Sequence, residues 1–145
     1  VVQALPIIDL SRIHPDPNQN NVPDQTIFGP EPEHGWCFLF QKADLGRQTG
    51  DWVQVSALGD QAREQGFNLQ NSQSNTPQEW IPFIEGYAHV GRWEEAVEIT
   101  RAALELEPKM AARACDLWED IQTAGADAKA QPTVQDLLSS LGCGP

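Results

Sequence analysis

The chain has 145 residues, of which nine are Lys or Arg and 21 are Asp or Glu, and its formal net charge is −12. This length is enough for one domain with a hydrophobic core, and 40% hydrophobic residues, with five Trp and five Phe, indicate a globular protein rather than a disordered one. The charge argues against nucleic-acid binding and against docking on an anionic membrane, because both require clusters of Lys and Arg.

Residues 1–34 are predicted to form an extended, proline-rich arm or linker, and residues 35–145 a helical domain. The stretch "HPDPNQNNVPDQTIFGPEPEHG" mixes proline with Asn, Asp and Gln. Proline removes a backbone donor and blocks helix formation, so an extended chain is favoured. Two short apolar segments, "ALPIIDL" at 4–10 and "TIFG" at 26–29, are expected to pin the arm to the domain.

The chain contains no run of about 18 apolar residues, so we expect no transmembrane span and no direct membrane insertion within it. A signal-peptide pattern is also missing. Because the first residue is Val1 rather than Met, we expect a processed protein or a domain of a longer one. Any membrane segment would then belong to the part that precedes Val1.

Apolar residues recur with helical spacing from Trp36 onward. The first stripe ends at Gly50, and a second begins at Trp52 after Asp51, a residue type that caps helix N-termini. The polar stretch 63–76 is predicted to be a loop. The apolar positions of these two helices are Trp36, Leu39, Phe40, Ala43, Trp52, Val55, Leu58 and Ala62.

The segment "TPQEW" at 76–80 has the composition of a helix start. Thr76 is a cap residue, Pro77 suits the first helical position, and Glu79 completes a capping box. Pro82 conflicts with one continuous helix, because an interior proline loses a backbone bond. Two alternatives remain, a kinked helix or a separate turn over Thr76–Ile81.

Three further helices are predicted from the same periodicity. One begins at Trp93 and ends near Pro108, the next ends near Gly125, and a short last helix is stopped by Gly142. No stretch alternates as a strand does. The predicted fold class is therefore all-α, with about five to six helices in antiparallel hairpins behind an extended N-terminal arm.

Two segments share one form, "RQTGDWVQVSALGDQA" at 47–62 and "AHVGRWEEAVEITRAA" at 88–103. Each has a helix end, Gly, a polar residue, Trp and then an apolar residue three positions on. The interval between Gly50 and Gly91 equals that between Trp52 and Trp93. Similarity at one fixed interval indicates a helical repeat.

Residues 80–108 resemble the tetratricopeptide family, whose pattern is W-x2-L-G-x2-Y followed by Ala, a large residue and Pro. Trp80, Phe83, Ile84 and Tyr87 match its first helix, with Ile84 where a small residue is usual. The turn and second helix are matched by Gly91, Trp93, Ala96, Thr100, Ala103 and Pro108. The first copy matches less well, since Gly46 stands where the tyrosine is expected and a start at Trp36 shifts the register by three residues. A partial third unit starts at Ala111. The structural repeat residues are Trp36, Gly50, Trp52, Trp80, Tyr87, Gly91, Trp93, Ala96 and Pro108.

The repeat residues have packing roles that follow from their size. Gly50 and Gly91 are expected at helix ends with positive φ. Trp52 and Trp93 should open the second helices and cover the hairpin ends. The ring of Tyr87 should lie in the seam between helices, where its hydroxyl needs a partner.

The resemblance, over about residues 35–125, implies a non-catalytic interaction or scaffold domain whose first helices line a concave groove. The glycine register places Phe40, Asp44, Arg47, Gln48, Glu85, His89 and Glu119 in this groove, together with Cys37, Ile81, Ala88, Cys115 and Gln122. Asp44, Glu85 and Glu119 would form an acidic row suited to a basic or amine-bearing peptide. The alternatives are a solvated acidic surface and a groove filled by residues 1–34.

A second resemblance concerns context. The stretch "HGWCFLFQKADLGRQTGDW" followed by "IPFIEGYAHVGRWEEA" is similar to soluble tails of bacterial multi-span membrane proteins of the glycosyltransferase type. It implies an accessory domain at the extracytoplasmic face of a bacterial membrane, with its own parent protein as a partner. The alternative is a free-standing adaptor in the cytoplasm.

No residue is assigned to catalysis, to a cofactor or to a metal. His34 and Cys37 lie three positions apart, but zinc usually takes three or four protein ligands. Carboxylate pairs are expected on solvated helix faces, and no phosphate loop or nucleophile motif is present. Cys37, Cys115 and Cys143 are predicted to be buried, inert thiols, with a Cys115–Cys143 disulfide as the alternative.

Overall fold

The computed structural model describes residues 24–30, 33–70, 75–125, 127–128 and 131–143. The chain divides into two compact units, Val1–Glu33 and His34–Pro145. The described residues are helical and contain no strand, which confirms the predicted all-α class. The helices are α1 (Gln25–Phe28), α2 (Trp36–Thr49), α3 (Trp52–Glu64), α4 (Ile81–His89), α5 (Trp93–Leu106), α6 (Ala111–Ala124) and α7 (Pro132–Leu141).

The described residues of the first unit include a helical turn, α1, where the sequence predicts extended chain. Asp24 explains the difference, because its Oδ1 accepts bonds from the Thr26 amide at 2.9 Å and from the Thr26 hydroxyl at 2.7 Å. Ile27 and Phe28 of the predicted apolar segment are each 73% exposed. The other predicted apolar segment, 4–10, lies outside the described residues.

The two glycine turns of the second unit have the same hydrogen bonds. Gly50 and Gly91 have φ values of 74° and 81°, as predicted. After Gly50, the Asp51 amide donates to the Gly46 carbonyl at 2.8 Å, and after Gly91 the Arg92 amide donates to the Tyr87 carbonyl at 2.8 Å. Both turns are therefore Schellman-type helix ends, and each is followed at once by a tryptophan that opens the next helix.

Pro82 breaks no helix. A 3₁₀ turn over Pro77–Trp80 precedes α4, so Pro82 stands in the first turn of α4, where its missing N–H is not needed. Glu79 Oε2 accepts the Thr76 amide at 2.7 Å, which is half of the predicted capping box. Of the two alternatives, the separate turn is the correct one.

The helices of the second unit pack in sequence as hairpins. α2 contacts α3, α3 contacts α4, α4 contacts α5, and α6 contacts α7. Beyond these neighbours, α2 contacts α4, α4 contacts α6, and α5 contacts α7. The helices α2, α4 and α6 therefore form one continuous row, and α5 and α7 pair in a second row.

An aromatic cluster occupies the core between α2 and α4. The ring centroids of Trp36 and Trp80 are 4.9 Å apart, and that of Phe83 lies 5.4 Å from Trp80. The indole of Trp80 donates to the buried Asn75 Oδ1 at 3.0 Å. This cluster joins the N-terminal ends of α2 and α4, so it fixes the distance between these two helices.

Val55 of α3 fills gaps that two glycines leave in neighbouring helices. A Cβ on Gly46 would lie 2.8 Å from Val55 Cγ2, and a Cβ on Gly86 would lie 2.5 Å from Val55 Cγ1. Val55 is fully buried. Because the valine is held on both sides, it has no room to turn away from a new methyl group.

The substitution Gly86→Ala is therefore expected to destabilise the domain by about 1–2 kcal/mol, the overpacking cost less the helix-propensity gain of alanine. Urea unfolding measures this change. Gly125→Ala is the matched control, because its Cβ would meet only the Ile121 carbonyl, at 3.9 Å. Adding Val55→Ala to Gly86→Ala should recover part of the loss, and a double variant that is less stable than both single variants would contradict this packing.

Tyr87 is fully buried, and its hydroxyl has the partner that the sequence requires. The hydroxyl donates to Asp60 Oδ1 at 2.9 Å, and Arg92 Nη1 donates to the other oxygen of Asp60 at 2.7 Å. A Cβ on Gly59 would lie 2.7 Å from the Tyr87 hydroxyl. The ring thus lies in the seam between α3 and α4, at a point where the helices approach closely.

Cys115 and Cys143 form a disulfide with a Cα–Cα distance of 5.5 Å, and Cys37 is an exposed free thiol. The prediction of three buried, inert thiols is wrong, and the alternative holds. Gly142 ends α7 with a φ of 69° and turns the chain so that Cys143 reaches α6.

Within the described part of the chain, no helix has the length and apolar character needed to cross a bilayer.

Candidate functional site

The predicted groove residues of α2 and α4 lie together. Asp44 accepts bonds from Arg47 Nε and from Gln48 Nε2, each at 2.9 Å. Arg47 Nε also lies 3.7 Å from Glu85 Oε2 on α4. Arg47 is therefore shared between two carboxylates, with its closer contact to Asp44.

Glu85 of α4 has a carboxylate that is largely buried and incompletely hydrogen-bonded. Its side chain is only 15% exposed, and its Oε2 is buried with no hydrogen-bond donor among the described residues. Burial raises the pKa of Glu85, and the nearby guanidinium groups of Arg47 and Arg113 only partly offset this effect. The carboxylates of Asp120 and Asp44 raise its pKa further.

These residues define the Glu85 face, which consists of Asp44, Arg47, Glu85, Arg113 and Asp120. The first two come from α2, the third from α4 and the last two from α6. The charges that act on the pKa of Glu85 therefore come from α2 and α6, the two helices that α4 contacts in this row. The sequence analysis did not identify Arg113 and Asp120. The two residues are about two helical turns apart on α6, and this spacing could have shown that they share one helix face.

Glu119 is not part of the Glu85 face. It lines an open recess between α6 and α7 together with Cys115, Gln122 and Cys143. Of the two neighbouring carboxylates of α6, Asp120 is the one that raises the pKa of Glu85. The place of Glu119 in an acidic row with Asp44 and Glu85 stays a prediction.

Two other predicted groove residues, His89 and Phe40, contribute to packing. The imidazole of His89 stacks on the Trp52 indole with centroids 3.9 Å apart and an interplanar angle of 9°. Burial lowers the pKa of His89, so it is a neutral ring under ordinary conditions. Phe40 is half-buried and packs against the core. Neither side chain is as available to a ligand as the sequence suggested.

Within the described ranges, no group of three His, Cys, Asp or Glu residues is arranged to hold a metal ion. His34 instead stacks on Phe38, with ring centroids 3.6 Å apart. Cys37, three residues from His34, is exposed. The "HGWC" segment is thus placed for packing of its histidine rather than for joint coordination.

No family model, curated protein or solved structure matches the chain. The tetratricopeptide-like arrangement and the glycosyltransferase-type context therefore remain predictions.

Proposed function

We propose that the second unit is a non-catalytic, tetratricopeptide-like interaction domain. On this proposal the hairpins α2–α3, α4–α5 and α6–α7 are successive repeat units. The contacts of α2 with α4 and of α4 with α6 support it, because stacked helical hairpins bring their first helices together in this way. The identical hydrogen bonds at Gly50 and Gly91 support a repeated unit as well.

We propose further that the Glu85 face binds a protein or peptide through a cationic group, and the observation that carries this is the burial of Glu85. A carboxylate that is 15% exposed and lacks a donor at Oε2 reduces the stability of the fold. Such groups are concentrated at functional sites. An ammonium or guanidinium group of a partner beside Glu85 would offset the cost of this charge, and the net charge of −12 would attract such a group over longer distances.

The disulfide supports the extracytoplasmic location over the cytoplasmic alternative. Bridges such as Cys115–Cys143 form and persist mainly in oxidising compartments. This supports the second candidate function, an accessory domain of a membrane-bound glycosyltransferase-type parent. Sequencing the gene upstream of Val1 distinguishes the two candidates, because only the accessory domain should follow several spans of about 20 apolar residues.

A peptide selection tests the binding role of Glu85. Short random peptides with a fixed central Lys, Arg or Gln are selected on the intact chain, and the recovered peptides should carry Lys or Arg at the centre. Glu85→Gln should weaken their binding by about tenfold or more. Glu105→Gln is the matched control, since Glu105 is an exposed residue of α5. Equal recovery of Gln peptides would contradict the proposal.

Glu85→Gln is expected to weaken peptide binding but to increase the stability of the fold. The folded-state pKa of Glu85 is raised, so the folded protein gains stability when Glu85 is protonated and loses it as pH rises through that pKa. Glu85→Gln should therefore raise the melting temperature at neutral pH. This gain should shrink below about pH 4, where the carboxyl is protonated in both states. A lower melting temperature at neutral pH would mean that Glu85 stabilises the fold.

A further inference from the structure

The last helix is attached to the rest of the domain by a short apolar face, on which Leu138 and Leu141 are partly buried, and by one disulfide. α7 packs against α5 and α6, and Val134 and Leu137 are its fully buried residues. It has ten residues, and its N-cap residue, Gln131, makes no side-chain capping bond. An isolated helix of this length is unstable in water, so its order depends on these attachments.

The polar attachment of α7 is weak and its covalent attachment is strong. Arg101 on α5 pairs with Asp136, but their side chains are 48% and 74% exposed, and such exposed ion pairs contribute little. The Cys115–Cys143 bridge holds the C-terminal end of α7 to α6 across a sequence separation of 28. It greatly reduces the conformational freedom of the segment between the two cysteines.

The other helices have their own attachments, which do not involve α7. The aromatic cluster of Trp36, Trp80 and Phe83 joins α2 to α4. On α6, the buried Trp118 indole donates to Thr100 Oγ1 of α5 at 3.2 Å. These contacts should hold α2–α6 together whether or not α7 is docked.

We propose that α7 is a redox-dependent clasp, docked on α5 and α6 while the Cys115–Cys143 bridge is intact and released when a dithiol reduces it. A thiolate of the dithiol attacks one bridge sulfur and forms a mixed disulfide, and its second thiol then displaces the protein. The bridge gains two electrons and two protons, and the dithiol becomes a disulfide. Both cysteines line the open recess between α6 and α7, where a reductant can reach them.

Release of α7 would uncover apolar surface on α5 and α6. Terminal elements of stacked helical proteins shield an apolar face that would otherwise meet water. Val134 and Leu137 cover such a face here. The reduced protein should therefore expose an apolar surface formed by α5 and α6, while the Glu85 face is unchanged.

Hydrogen exchange on the full chain tests the clasp. Cys37→Ser is used as the background, because it removes the exposed free thiol and so prevents exchange of disulfide partners. The oxidised protein is compared with protein reduced by dithiothreitol and capped with iodoacetamide, and with the variant that also carries Cys115→Ala and Cys143→Ala. Without the bridge, amide protection in 132–141 should fall by roughly two to three orders of magnitude, as expected for opening a loop of this length.

In the same reduced and double-alanine samples, the amides of residues 81–89 should keep most of their protection from hydrogen exchange. Unchanged protection of 132–141 after reduction would overturn the proposal, since α7 would then stay docked without the bridge. Equal loss of protection in 81–89 and 132–141 would also overturn it, since the bridge would then support the whole domain. Agreement between the reduced protein and the double alanine variant excludes an effect of the capping groups.

Discussion

Replacing both Tyr87 and Trp93 by alanine is expected to unfold the helical domain. Tyr87 is fully buried, and truncating such a ring costs about 3–5 kcal/mol. Trp93 is half-buried and packs against the core, which adds about 2 kcal/mol. The sum is comparable with the whole stability of a small domain, about 5–15 kcal/mol. Far-ultraviolet circular dichroism during heating measures the result.

Conservative variants at the same two positions separate packing from polar contacts. Tyr87→Phe keeps the ring and removes only the hydrogen bond to Asp60, so it should cost about 1 kcal/mol. Trp93→Phe should likewise keep a cooperative transition. If the double alanine variant melted at the wild-type temperature, the packing roles assigned to both residues would be wrong.

Trp80→Ala should be the most destabilising single substitution among the aromatic residues, at about 4–5 kcal/mol. Trp80 is 2% exposed, and its ring contacts both Trp36 and Phe83. Its removal leaves a cavity between α2 and α4, and the buried Asn75 Oδ1 loses its donor. Urea unfolding followed by circular dichroism gives the free-energy difference.

Trp52→Ala is the matched control for Trp80→Ala. Trp52 is half-buried at the start of α3 and stacks on His89, so its truncation removes less buried surface and leaves no closed cavity. Its cost should be about 1–2 kcal/mol. Equal costs at the two positions would show that the cluster of Trp36, Trp80 and Phe83 is not the main support of the α2–α4 contact.

The sequence predicts most of the helices because their signals are local. Helical periodicity and the glycines at 50 and 91 set the bounds of α2–α5 closely, since positive φ at a helix end strongly favours glycine. The proline at 82 illustrates a limit. Its presence indicated that one regular helix could not run from Thr76 through position 82, but only the structure distinguishes a kinked helix from a 3₁₀ turn that precedes α4.

The hairpin of α2 and α3 shows why a comparison of single positions misses a packing relation between two helices. By the glycine register, Gly46 is equivalent to Tyr87, and Val55 is equivalent to Ala96. The first hairpin thus pairs a small residue on its first helix with a larger one on its second, and the second hairpin has the sizes reversed. Comparing one position at a time records a mismatch at Gly46, whereas Val55 fills the space that its missing side chain leaves.

The candidate site was less predictable because it depends on contacts between helices. Asp44, Arg47 and Glu85 were identified from the register of α2 and α4. From α6 the register indicated Glu119, whereas the carboxylate of that helix that acts on the pKa of Glu85 is Asp120. The spacing of the cysteines did not reveal the bridge either, because Cys115 and Cys143 meet only through the packing of α7 on α6.

Nuclear magnetic resonance of the Glu85 carboxyl carbon, with and without a selected Lys or Arg peptide, tests the proposed function most directly. Without peptide, the titration should give a pKa above the usual range for glutamate, because the side chain is buried. With peptide bound, that pKa should fall, because a cation beside the carboxylate favours its charged form. If the peptide bound but left the Glu85 titration unchanged, or shifted only signals near the Glu119 recess, the Glu85 face would not be the binding site.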